Sequence, residues 1–153
     1  MKAILSLAAL AVAGSLACAP ALAQVKHGSK EEAQALVKKA VAHYKSAGRD
    51  KALADFSQKG GSFTDRDLYV FVTDANGKSL AHGANEKLIG RDLLALKDAD
   101  GKAFVVEFVD RIKSGKAGWT DYKWPNPVSK EIEAKTTYCE PHDNAVFCVG
   151  AYK

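Results

Sequence analysis

The chain has 153 residues, with 22 Lys plus Arg against 18 Asp plus Glu, a net charge of +4 and three cysteines. That length is expected to hold one domain large enough to bury a core without help from cross-links, and to leave no room for an attached kinase, methyl-accepting or DNA-binding module. The basic residues are dispersed, with no run of five and no interleaved aromatics, which argues against nucleic-acid binding.

The first element is a leader. Lys2 precedes an apolar stretch at 4–17 (ILSLAALAVAGSLA), and Ala21-Leu22-Ala23 supplies a small-x-small cleavage pattern. This predicts a signal peptide over residues 1–23, cut before Gln24, because the stretch falls short of the roughly 20 residues that a membrane span takes. The expected product, 24–153, is periplasmic or secreted and carries no other span.

Residues 29–47 follow as an amphipathic helix, with Ala33, Leu36, Val37, Ala40, Val41 and Tyr44 at i, i+3, i+4 and i+7 spacing. Ser29 and Glu32 read as a capping box and Gly48 as the stop. A second short helix is expected near 50–57. The period then changes to that of strands: 68–73 (LYVFVT), a turn at Asp74-Ala75-Asn76-Gly77, and a return strand at 78–82. A short helical piece is expected within 88–96 and a third helix at 101–113, with Phe104, Val105, Phe108, Val109 and Ile112 on one face. Three strands close the chain, at 118–124, 132–140 and 145–152. The economical architecture is α+β, a five-stranded antiparallel sheet with a long N-terminal helix and its helices packed on one face.

Cys18 falls in the leader, which leaves Cys139 and Cys148. With Asp143-Asn144 as a two-residue turn, His142 faces Ala145, Pro141 faces Val146 and Cys139 faces Cys148. The cysteines then occupy a non-hydrogen-bonded pair, where Cα atoms come within about 4.5 Å, close enough for a disulfide.

Several ordered motifs resemble a known family. They are Y-x-F-x-x-D-x-x-G from Tyr69 to Gly77, Ala81-His82 with Ile89-Gly90, Lys97-Asp98-Ala99-Asp100-Gly101, Tyr122-Lys123-Trp124 with Asn126-Pro127, and finally Lys135 and Tyr138. Across about residues 28–153 the chain is similar to the single Cache domain of extracytoplasmic, PAS-like sensors. The resemblance implies a domain that binds a small molecule, often a short carboxylate, and reports to a signalling partner. Since nothing follows Lys153, a stand-alone exported form is expected, with an exported or membrane signalling protein as its partner.

The resemblance, together with residue chemistry, nominates Tyr69, His82, Tyr122, Trp124, Lys135 and Tyr138 as ligand-binding residues. Lys135 offers an ammonium to a carboxylate. His82 and the tyrosines offer hydrogen bonds, with His82 bringing pH sensitivity near neutrality. Trp124 and Tyr122, two apart on a strand, share a face and offer aromatic walls. Lys135 and Tyr138 are three apart and point to opposite faces of a regular strand, so one of the two is expected to leave the pocket. Phe71 reads as core. The four histidines lack metal-ligand spacing, and Asp98-x-Asp100-Gly101 and Asp74-x-Asn76-Gly77 lack the later ligands of a calcium loop. No cofactor is called for. No nucleophile, base and orienting group stand together, so no catalytic residue is nominated and an enzyme is not expected. The competing reading is a non-catalytic scaffold that docks on another exported or membrane signalling protein.

Overall fold

The computed structural model describes residues 26–153; the expected leader at 1–23 and Cys18 lie outside the described residues. The order is α1 (Lys30–Ala47), α2 (Arg49–Phe56), β1 (Thr64–Asp65), β2 (Leu68–Asp74), β3 (Ser79–His82), a 3-10 turn at Glu86–Leu88, α3 (Phe104–Ser114), β4 (Gly118–Pro125), β5 (Ile132–His142) and β6 (Ala145–Tyr152). The α1 capping box forms as expected: Glu32 N–H donates to Ser29 Oγ, and Ser29 N–H donates to Glu32 Oε2.

All strand pairs are antiparallel, in the order β1-β2-β6-β5-β4, with β3 also on β2. The sheet has six strands rather than five. The addition is β1, whose two residues pair Thr64 with Tyr69 and Asp65 with Leu68, too short a segment to carry a period. The β5–β6 hairpin has the expected register through His142↔Ala145 and Cys139↔Cys148. The disulfide joins Cys139 to Cys148, with Cα atoms 4.2 Å apart.

Helices cover both faces of the sheet, not one. On one face α1 and α2 pack on Val70, Val72, Tyr138, Phe147, Val149 and Ala151. On the other, Phe104, Val105 and Phe108 of α3 pack on Tyr69, Phe71, Tyr122, Cys139, Cys148 and Tyr152. The reason is compositional. Every residue of β6 is buried, as is β2 from Leu68 to Thr73, and a strand apolar on both sides needs cover on both.

The helical piece expected within 88–96 is replaced by a loop bound to the margin of β3. Gly90 N–H donates to Ser79 O, Ser79 N–H to Arg91 O, and Leu93 N–H to Gly77 O. These backbone groups find partners on a neighbouring strand, so a helix of their own is unnecessary. The Asp98 carboxylate organises the next turn by accepting from Asp100 N–H and Lys102 N–H, and α3 begins only at Phe104.

β4 ends the sheet, and three of its outward backbone groups are taken by side chains. Arg111 Nη2 donates to Trp119 O at 2.6 Å, Lys102 Nζ to Asp121 O at 2.7 Å, and Lys123 N–H to Asp98 Oδ2 at 2.9 Å.

Candidate functional site

The α3 face of the sheet carries one charged side chain deep in its middle. Lys135 of β5 sits opposite Tyr122 on β4 and Tyr152 on β6, and the residue is 1% exposed. Its Nζ donates to Tyr69 Oη at 2.7 Å and to Tyr152 Oη at 3.2 Å. Rings surround it, with Nζ 4.1 Å from the Tyr69 centroid, 4.6 Å from Tyr152 and 5.8 Å from Phe71. Among the described residues no carboxylate lies within ion-pair distance of this nitrogen. Burial therefore pulls the Lys135 ammonium well below the usual lysine range, opposed in part by the field of Asp67. Burial also pushes the Tyr69 hydroxyl well up, so it stays a neutral donor. Tyr152 passes its own proton outward, donating to Pro125 O at 2.8 Å.

Asp67, fully buried, belongs to a separate network. It accepts from Gly28 N–H at 2.8 Å and pairs with His27 Nδ1 at 2.6 Å. Asn126, 1% exposed, donates through Nδ2 to Asp67 Oδ2 at 3.2 Å and Glu133 Oε2 at 2.8 Å. Its Oδ1 accepts from Val128 N–H at 2.8 Å and Ser129 N–H at 3.4 Å. One buried amide thus fixes the loop from Pro125 to Lys130.

That loop walls a cavity of about 230 Å³ whose other lining includes Tyr69, His82, Ala84, Asn85 and Trp124. A larger depression of about 380 Å³ adjoins it through Tyr69, Ala84 and Pro127 and is lined on its far side by Lys59 and Arg66. The smaller cavity is the better ligand candidate, because it meets His82 and Trp124 together with the Tyr69 ring that covers Lys135.

His82 lies across from Phe71 and stacks on it, with ring centroids 5.7 Å apart. Its Nδ1 accepts from Asn85 N–H at 3.0 Å and Ala84 N–H at 3.3 Å, which leaves the proton on Nε2. Burial, then the nearby Lys135 charge, lower its pKa to about 3. The expectation of pH sensitivity near neutrality is corrected accordingly: His82 is a fixed neutral donor there.

The structure brings Tyr69, His82, Trp124 and Lys135 together. Tyr122 stands one layer behind, stacked on Phe104 at 4.2 Å and accepting from Thr137 Oγ1 at 3.1 Å. Tyr138 does not join them. Strand alternation turns it to the α1 face, where it packs on Trp119 at 5.1 Å, so it leaves the candidate site and Lys135 keeps its place. Two contributors were not nominated from sequence. Tyr152 was legible as the cross-strand partner of Lys135, and Asn126 as the polar residue of the Pro125-Asn126-Pro127 rim. No group of three or more His, Cys, Asp or Glu side chains converges among the described residues. No helix among them is long and apolar enough to cross a membrane.

Comparison with known proteins gives the family. The family model described as single Cache domain 2 matches residues 15–152. Methyl-accepting chemotaxis protein McpP of Pseudomonas putida is 40% identical over 76 residues, 50% of this chain and 14% of that receptor, so the match spans a small part of the curated relative. A methyl-accepting chemotaxis protein structure from Vibrio parahaemolyticus superposes with a TM-score of 0.69 at 23% identity, over 80% of this chain and 87% of that one. A Cache chemosensory domain, solved for the structural basis of its carboxylic acid recognition, gives 0.61 at 25% identity over 80% and 86%. The chain belongs to the single Cache domain 2 family.

Proposed function

We propose that this domain binds a short carboxylate, or a similarly small polar anion, in the cavity between Tyr69, His82 and Trp124, and serves as a sensor outside the cytoplasm. One observation carries the reading: Lys135 is a buried lysine whose only hydrogen-bond partners among the described residues are two tyrosine hydroxyls. A buried ammonium without a counter-charge is costly, and an anion beside it supplies what the fold leaves out. In this arrangement Tyr69 O–H and His82 Nε2–H donate to the carboxylate, Lys135 neutralises it from behind Tyr69, and Trp124 covers its apolar end. The structural likeness to a Cache domain that recognises carboxylic acids supports the same ligand class. The apolar leader and the chemoreceptor relative support export and a membrane signalling partner.

A thermal-shift screen of the oxidised domain against acetate, propionate, lactate, amino acids and purines tests the reading. A ligand that binds only the native state raises the melting temperature by mass action. The expected result is a carboxylate hit that Lys135→Met abolishes. The docking-scaffold reading draws on Val128 and Ile132, 47% and 60% exposed beside the rim loop. A folded protein silent across the whole panel would favour it.

A further inference from the structure

Counting hydrogens at Lys135 leads one step further, resting on the reading just given. A charged ammonium has three N–H donors, and two acceptors stand within reach, Tyr69 Oη at 2.7 Å and Tyr152 Oη at 3.2 Å. Tyr152 has committed its proton to Pro125 O. Tyr69, with Lys135 donating to it, has only the long 3.4 Å contact to Tyr152 Oη for its own proton. The charged form therefore leaves one N–H over aromatic faces and one hydroxyl poorly placed.

A neutral amine also leaves one N–H over the rings, but it gives the stranded Tyr69 proton an acceptor. Tyr69 O–H donates to the Nζ lone pair, one Nζ–H donates to Tyr152 Oη, and Tyr152 O–H donates to Pro125 O. A carboxylate in the cavity reverses this preference: it accepts the Tyr69 hydroxyl proton, which leaves Tyr69 Oη to accept from the Lys135 ammonium behind it, and its charge offsets that of the ammonium.

We propose that carboxylate binding at this site is coupled to the uptake of one proton by Lys135. The balance is simple: the neutral Lys135 amine, the ligand carboxylate and one proton from solvent give an ammonium–carboxylate pair, with no other bond made or broken. The site thus responds to the product of anion and proton activity, which is proportional to the activity of the undissociated acid.

The surrounding charges do not supply that proton. On the β2 side Asp67 is engaged by His27, Gly28 and Asn126. His82 of β3 keeps Nδ1 as an acceptor and its proton on Nε2. Tyr122 on β4 accepts from Thr137, and Glu133 of β5 is held by Asn126 and Ser129. On the α3 side Glu107 pairs with Lys102, and Arg111 turns to Trp119 and Thr120. Lys130 of the rim donates to Pro127 O. The displacement of the Lys135 ammonium well below its usual range agrees with the hydrogen count.

The experiment is calorimetric titration of the intact oxidised domain with acetate and with propionate at pH 8, in phosphate and in Tris, whose ionisation enthalpies differ. The expected heats differ between buffers by an amount that corresponds to one proton taken up. The dissociation constant is expected to weaken about tenfold per pH unit as pH rises. Carbon-13 labelling of lysine gives a second readout on the unmutated protein, in which Lys135 Cε is expected to shift from the amine to the ammonium position on adding acetate. Binding with identical heats in both buffers, or a Cε signal that does not move, overturns proton coupling and leaves ligand binding standing. No heat with either probe in either buffer overturns the carboxylate reading itself, and the coupling with it.

Discussion

Gly150 lies directly beneath the Lys135 stem: a Cβ built on Gly150 would collide with Lys135 Cε and with Thr137 Oγ1. Both obstacles are side-chain atoms on β5, the strand paired with β6: Lys135 gives way only by moving its ammonium, and the buried Thr137 hydroxyl only by turning from Tyr122. Gly150→Ala is expected to cost about 1–3 kcal/mol by overpacking. It is also expected to displace the ammonium from Tyr69 and Tyr152. Urea unfolding measures the first effect and carboxylate affinity the second. A variant with wild-type values in both would show that the Lys135 stem does not depend on the missing side chain.

His82 ties stability to acid. Its folded pKa of about 3 lies below the ordinary histidine value of 6.5, so the unfolded chain binds the proton first as pH falls. The contribution is fully present above about pH 6.5 and is lost progressively as pH drops toward 3. The expected slope is about 1.4 kcal/mol per pH unit inside that window. Unfolding curves at pH 4, 5, 6 and 7 should show that slope in the wild type and a flatter one in His82→Gln. Equal slopes would place the proton uptake elsewhere.

The Cys139–Cys148 bridge closes a short loop, with the cysteines nine positions apart. The chain-entropy argument gives about 2–3 kcal/mol for such a closure. Adding reductant should lower the urea midpoint by a corresponding amount. The proposed carboxylate site is on the same face of the sheet but makes no use of sulfur, so residual folded protein should retain its affinity.

Asn126→Ala removes both halves of the rim anchor. Asp67 and Glu133 lose a donor, and the Val128 and Ser129 N–H groups lose their acceptor. The expected cost is about 1–3 kcal/mol, with faster hydrogen exchange at Val128 and Ser129 and weaker ligand retention. Unchanged exchange at those two amides would show that the loop is held by other contacts.

The hairpin was readable because period, turn and cysteine spacing agree: Asp143-Asn144 fixes the register, and the register fixes the Cys139–Cys148 pairing. The long helix was readable because Ser29 and Glu32 mark its start and a single apolar stripe runs along it. The second helical layer was harder to see. Its signal was the absence of polar alternation in LYVFVT and AVFCVGAY, which means burial on both sides. The 88–96 segment was misleading because Leu88, Leu93 and Leu96 suggest a helix, while the backbone is bound by β3. At the site, alternation along β5 separates Lys135 from Tyr138, but the sequence alone gives no sign of which face holds the cavity. The His82 titration was misjudged because its acceptor role depends on Ala84 and Asn85 N–H groups that only the folded loop presents.

The treatment of β4 bears on how copies of this domain can meet. An exposed strand margin is a template on which another chain can add its own strand, the first step toward ribbons and fibres. Here that template is occupied by Asp98, Lys102 and Arg111. Crowded copies cannot zip together along this border without first breaking charged hydrogen bonds.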